Sequence, residues 1–116
     1  MKYSLTLALL LSSLVLADDA PETPRFLEVL IESFRDQSPE IAPEEVWSYW
    51  FRDRRVFYVA PQYCCDLSST LYDESGEVIC HPDGGIAGSG DGRCPNFFKE
   101  RTDGVRIWRH PDLGEE

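Results

Sequence analysis

Residues 46–60 read Val-Trp-Ser-Tyr-Trp-Phe, then Arg-Asp-Arg, then Arg-Val-Phe-Tyr-Val-Ala. The outer runs, Val46–Phe51 and Arg55–Ala60, are dense in aromatic and β-branched side chains, which suit a pleated, packed surface. Arg52-Asp53-Arg54 separates them by a length suited to a hairpin loop. Strand alternation puts Trp47, Tyr49 and Phe51 on one face and Val46 and Trp50 on the other. Both faces are apolar, so the strand needs cover on both sides. This predicts a helix on one face and loops on the other, an α+β arrangement.

The helix lies upstream. Leu27, Leu30, Ile31 and Phe34 follow at i, i+3, i+4 and i+7, and Phe26 and Val29 widen the stripe. The pattern predicts a helix over 24–36, with Thr23 as N-cap, Pro24 at the first helical position and Glu28, Glu32 and Asp36 in water. Downstream, Ser69–Tyr72 and Glu77–Cys80 flank Asp73-Glu74-Ser75-Gly76, a second hairpin with glycine where φ must be positive. A glycine-rich loop follows over His81–Gly92. Pro95–Arg101 predicts one or two helical turns with Phe97 and Phe98 inward. Val105–Arg109 predicts a last strand, with Val105, Ile107 and Arg109 on one face and Trp108 on the other. The expected fold is one N-terminal amphipathic helix packed on a small antiparallel sheet of about five strands, two hairpins plus a C-terminal strand, linked by disulfides.

The ends carry different information. Lys2 and the apolar stretch Leu5–Leu16, with Val15 and Ala17 before Asp18, have the order of a removable export signal. The expected division is a signal peptide over 1–17, an acidic unordered segment over 18–22, one domain over 23–110 and a loose tail over 111–116. The chain has 116 residues, 11 basic against 21 acidic, and a formal net charge of −10. This length allows one small domain. The charge argues against nucleic-acid backbone binding and against docking on anionic lipid. After signal removal no apolar run is long enough to cross a membrane. The expected location is therefore secreted, extracellular or periplasmic.

Four cysteines, Cys64, Cys65, Cys80 and Cys94, read in an oxidising compartment as two disulfides. A bond between neighbours Cys64 and Cys65 needs a strained ring, which leaves each of them reaching one of Cys80 and Cys94; of the two pairings, nested Cys65–Cys80 with Cys64–Cys94 is favoured because both bonds then hold the glycine-rich loop against the second hairpin. A metal site from Cys64, Cys65, Cys80 and His81 is the weaker alternative, because adjacent cysteines lack the usual ligand spacing.

The string Cys64-Cys65-Asp66, Leu71-Tyr72-Asp73, Gly76, Ile79-Cys80, Pro82-Asp83-Gly84-Gly85, Gly88, Gly90-Asp91-Gly92 and Cys94-Pro95 resembles a family of small secreted or lipid-anchored proteins classed as a domain of unknown function. The resemblance covers about residues 44–109. It implies an exported α+β module and no activity. Many relatives carry a lipid-attachment cysteine; none follows the signal here, so release is expected.

The loop His81–Arg93 is the most unusual stretch, and three readings of it compete. It is structural, with Asp83 and Asp91 bonding nearby N–H groups. It binds Ca²⁺ through Asp83 and Asp91, with Asp66, Asp73 or Glu74 assisting, although the spacing is not that of an EF-hand. Or it is a rigid edge shown to another protein, in the manner of a peptidase inhibitor presenting Arg93 beside Cys94. The leading expectation is a non-enzymatic binding module using His81, Asp83, Gly84, Gly85, Asp91 and Arg93, with another protein as partner and no cofactor or metal. A small hydrolase using His81 with Asp83 is the alternative from another class. His81 and His110 are the only histidines, no G-x-S-x-G context is present, and little volume is expected for a deep pocket.

Overall fold

The computed structural model describes residues 22–61 and 67–113. The predicted signal peptide, nearly all of the acidic segment, Cys64, Cys65, Asp66 and the last three residues lie outside the described residues. In chain order the elements are α1 (Arg25–Arg35), β1 (Glu45–Phe51), β2 (Arg54–Ala60), β3 (Thr70–Tyr72), β4 (Val78–Cys80), α2 (Phe97–Glu100) and β5 (Thr102–Arg109). A 3-10 turn at Pro111–Leu113 follows. The five strands form one antiparallel sheet in the order β4-β3-β2-β1-β5.

The β1–β2 hairpin is tighter than its sequence suggests. Phe51 pairs with Arg54, so the turn has two residues rather than three. Arg52 and Asp53 both take positive φ, 53° and 67°. A turn with both central residues left-handed matches the twist of the strands it joins. Arg52 is held there by Glu100, whose Oε1 accepts from its Nε at 3.0 Å, and by the Phe51 ring, 4.8 Å from its guanidinium carbon.

The helix closes one face. Leu27, Ile31 and Phe34 of α1 are buried against Val46, Phe57 and Val59, with Phe26, Leu30, Tyr72, Ile107 and Trp108 around them. The helix begins one residue later than expected: Pro24 is the N-cap, with no side-chain cap, and its carbonyl accepts from Leu27 and Glu28 N–H. Thr23 therefore does not cap the helix. Phe51, Val56, Tyr58, Leu71 and Phe97 form the opposite core, with Cys80 and Cys94. The disulfide there joins Cys80 to Cys94, whose Cα atoms are 6.1 Å apart. This overturns both expected bonds: neither Cys80 nor Cys94 is left to pair with Cys64 or Cys65. The nested pairing treated the glycine-rich loop as something to be strapped to an upstream segment. The chain instead closes the loop on itself.

Two further expectations change. The β1–β5 ladder shifts register between Val46 and Trp47, where Trp108 opposes Val46 but Arg106 opposes Trp47. The extra residue, Ile107, is a bulge. Ile107 and Trp108 consequently both pack against the helix-side core, and Arg109 pairs with Glu45 instead of sharing Ile107's face. In α2, Phe97 is fully buried but Phe98 is 41% exposed. Phe98 instead meets the Tyr58 ring edge-on and lies under the Arg101 guanidinium.

Candidate functional site

The glycine-rich loop leaves β4 at Cys80 and returns to it through the disulfide at Cys94. Inside that closure the main chain bonds to itself. Asp91 N–H donates to the His81 carbonyl at 2.9 Å, and Gly90 N–H donates to Gly84 at 3.0 Å. Gly85 N–H donates to the Leu67 carbonyl at 3.0 Å, tying the loop to the segment that leads into β3. Gly84 and Gly90 hold φ of 89° and 72°, and a Cβ at either would strike backbone, of Leu67 and Ser68 or of His81 and Pro82. Only glycine provides both the left-handed conformation and that close approach.

The two loop carboxylates are spent on structure. Asp91 accepts from His81 N–H at 3.1 Å and from Arg93 N–H at 3.0 Å. The Arg93 N–H bond chiefly, with the His81 N–H and the Arg93 guanidinium, holds the Asp91 carboxyl below its ordinary range. Asp83 turns toward the sheet. Its Oδ1 accepts from the Tyr58 hydroxyl at 2.9 Å and from the Ser69 hydroxyl at 2.5 Å. Asp83 N–H donates back to Ser69 Oγ at 3.1 Å, and Ser69 N–H donates to the Asp83 carbonyl at 2.9 Å. Ser69 is fully buried, and burial together with the negative Asp83 drives the Tyr58 hydroxyl far above its ordinary range. The network docks the loop on the sheet with its buried polar groups satisfied.

His81 is not joined to Asp83. Its Nδ1 donates to the Ser69 carbonyl at 2.8 Å, with Thr70 Oγ1 at 3.4 Å. The other histidine, His110, is a buried clamp at the end of the domain. Its Nδ1 accepts from Asp112 N–H at 3.1 Å, so Nε2 carries the hydrogen that it donates to the Gln37 carbonyl at 3.0 Å. A base–carboxylate pair of the kind a hydrolase needs is not formed by His81 and Asp83. Asp73, suggested as an auxiliary calcium ligand, caps its own turn through Ser75 and Glu77 N–H. Among the described residues no group of three or more His, Cys, Asp or Glu side chains stands close enough to hold a metal.

The structure brings His81, Asp83, Gly84, Gly85, Asp91 and Arg93 into one loop but turns several of them inward. What faces out is different. Gly85-Ile86-Ala87-Gly88 closes as a turn, Gly88 N–H donating to the Gly85 carbonyl at 3.2 Å, and its apex residue Ile86 is 89% exposed. Arg93 also faces solvent, with a side chain 64% exposed and Nη1 3.8 Å from Asp91. Sequence reasoning missed Ser69 and Tyr58, which hold Asp83, and passed over Ile86. A tyrosine inside an otherwise apolar strand face was the available signal, since a buried hydroxyl needs a partner.

Two open surface clefts measure about 510 and 570 Å³. They lie around Trp50 and are not lined by His81 or Asp83.

A family model described as a domain of unknown function (DUF6970) matches residues 32–110, from within α1 to the end of β5 and His110. No curated protein matches, and no solved structure does.

Proposed function

The chain belongs to the DUF6970 family, whose description names no activity, and from the loop's geometry we propose that it is an exported, non-enzymatic module that binds another protein through residues 81–94. One observation carries the reading: a large apolar side chain, Ile86, stands 89% exposed at the apex of a loop whose backbone is already bonded and cross-linked. Exposed apolar anchors on rigid supports are what interfaces use, because little ordering entropy is lost on binding. The binding residues are then Ile86 and Arg93. Asp83, Asp91 and the glycines shape the loop that presents them. Export is supported by the signal-like Met1–Ala17, with which a disulfide is compatible.

The test compares the protein with its Ile86→Asp variant as immobilised baits for the extracellular fraction of cells that produce it. A discrete partner is expected on the parent and reduced at least tenfold on the variant, with Tm unchanged. Equal retention by both, or no retained partner, overturns the reading. A second reading, peptidase inhibition, is favoured by the exposed Arg93 beside the cross-linked Cys94. With trypsin as probe, it requires inhibition that Arg93→Ala removes.

A further inference from the structure

At the opposite end of the sheet from the loop, the helix-side face runs out of helix. Val46 lies under α1, but the next residues of β1 on that face, Ser48 and Trp50, lead into the 570 Å³ cleft. Val105, opposite Ser48 on β5, and Arg55, opposite Trp50 on β2, also line it. Trp50 is 48% exposed and Val105 53% exposed, so the floor is apolar and open. Adjacent exposed apolar groups of this size mark interaction sites more often than scattered single ones do.

The rim is acidic. Glu22, Glu74 and Asp103 surround the floor, and no cationic side chain of the described residues forms an ion pair with any of them. The single cation of the lining, Arg55, is already engaged. Its Nη1 donates to the Glu22 carbonyl at 2.8 Å, and its guanidinium carbon sits 4.7 Å from the Phe57 centroid. Three acidic residues thus line the cleft that holds a half-exposed indole, and tryptophan is the aromatic ring with the strongest attraction for a cation. A cleft of this volume accommodates one long cationic side chain and an apolar neighbour.

We infer that the groove formed by Ser48, Trp50 and Val105 between Glu22, Glu74 and Asp103 docks a basic segment of a protein partner, with a Lys or Arg side chain over Trp50 and an adjacent apolar side chain on Val105. Charge complementarity selects this occupant. An anionic ligand meets three acidic residues, and a purely apolar one leaves them with Arg55 as the lining's single cation. The groove is separate from the Ile86 loop, so this inference does not depend on the binding role proposed there.

The experiment titrates the full chain with the peptide acetyl-Leu-Arg-Leu-Arg-amide, following the Trp50 indole N–H by NMR, and repeats it with citrulline in place of arginine. The arginine peptide is expected to shift the Trp50 signal saturably. Raising salt from about 50 to 200 mM weakens it several-fold. The citrulline peptide binds at least fivefold more weakly. Glu74→Gln combined with Asp103→Asn weakens the arginine peptide at least threefold, and in Trp50→Ala, followed at the Val105 amide and methyl signals, binding is abolished. Because Glu74 and Asp103 are surface residues, the double variant tests the idea even if Trp50→Ala is poorly folded. Ile86→Asp leaves the titration unchanged. Equal binding of the two peptides, no saturable shift up to millimolar peptide, or a Trp50 signal that moves only with concentration-dependent self-association overturns the inference.

Discussion

The two faces of one five-stranded sheet are closed by different means. On one, an eleven-residue helix lays Leu27, Ile31 and Phe34 on Val46, Phe57 and Val59. On the other, a four-residue helix, a disulfide and an irregular loop surround Tyr58 and Phe97. The first closure is a periodic apolar stripe and asks only for burial. The second puts a serine, a tyrosine hydroxyl and a carboxylate inside, and works because each has a partner at hydrogen-bond distance. A regular element suffices to cover a sheet. An irregular one is needed to hold the unusual backbone that exposes Ile86 and Arg93.

The largest test of this contrast removes one closure at a time. Leu27 is fully buried, so Leu27→Ala is expected to cost about 2–5 kcal/mol. Replacing Cys80 and Cys94 together by alanine is expected to cost about 2–4 kcal/mol, since the bond spans a sequence separation of 14. The sites lie on opposite faces, so in urea melts the combined variant should lose the sum of the two within about 0.5 kcal/mol. Coupling well above that would show that the faces are not independent closures. Hydrogen exchange separates them further: the cysteine variant loses protection first at Gly90 and Asp91, the leucine variant along α1.

How much of each closure was legible follows from the same physics. The i, i+3, i+4, i+7 stripe placed α1 to within a residue at each end, and strand alternation put Val46 and Phe51 on their correct faces. A bulge erases that alternation: with Ile107 inserted, period two could not tell that Trp108 shares its face. The glycines of the loop announced positive φ, and Gly84, Gly85, Gly88, Gly90 and Gly92 all have it. Spacing alone did not disclose that Asp83 turns inward to Ser69 and Tyr58, a contact between residues 14 and 25 apart in the chain. The disulfide was misread for a related reason. Cysteine count fixes how many bonds are possible, but connectivity depends on where the loop folds.

Within the loop, glycine positions rank by what surrounds them. Gly90 and Gly85 have similar φ, 72° and 77°, but a Cβ at Gly90 collides with the His81 carbonyl while one at Gly85 meets nothing within 4 Å. Gly85→Ala should therefore cost only the left-handed penalty, about 1–2 kcal/mol. Gly90→Ala should cost clearly more, because backbone rather than a flexible side chain must move. Both are expected to behave alike in calcium and in chelator. Equal losses in thermal melts would mean that the loop yields freely, contrary to a closure held by its own bonds.

The smallest expected effect concerns acid. Asp73 caps the β3–β4 turn, and the Ser75 hydroxyl, the Glu77 N–H, the Ser75 N–H and Arg54 hold its carboxyl below the ordinary range; Asp91 is lowered chiefly by Arg93 N–H. A carboxyl whose folded pKa is depressed stabilises the fold fully above its unfolded value. That contribution is lost as pH falls from there through the folded value. The parent Tm should thus decline on acidification below about pH 5. Asp73→Asn and Asp91→Asn should each start lower at neutral pH and decline less steeply. Their effects should add, because one carboxylate serves a hairpin turn and the other closes the loop at His81. Exchange rates locate each loss: Ser75 and Glu77 amides for the first, His81 and Arg93 amides for the second. An Asp91→Asn protein that loses Tm on acidification as steeply as the parent would show that the loop is held without that carboxylate, leaving the disulfide and the Asp83–Ser69–Tyr58 contacts to do so.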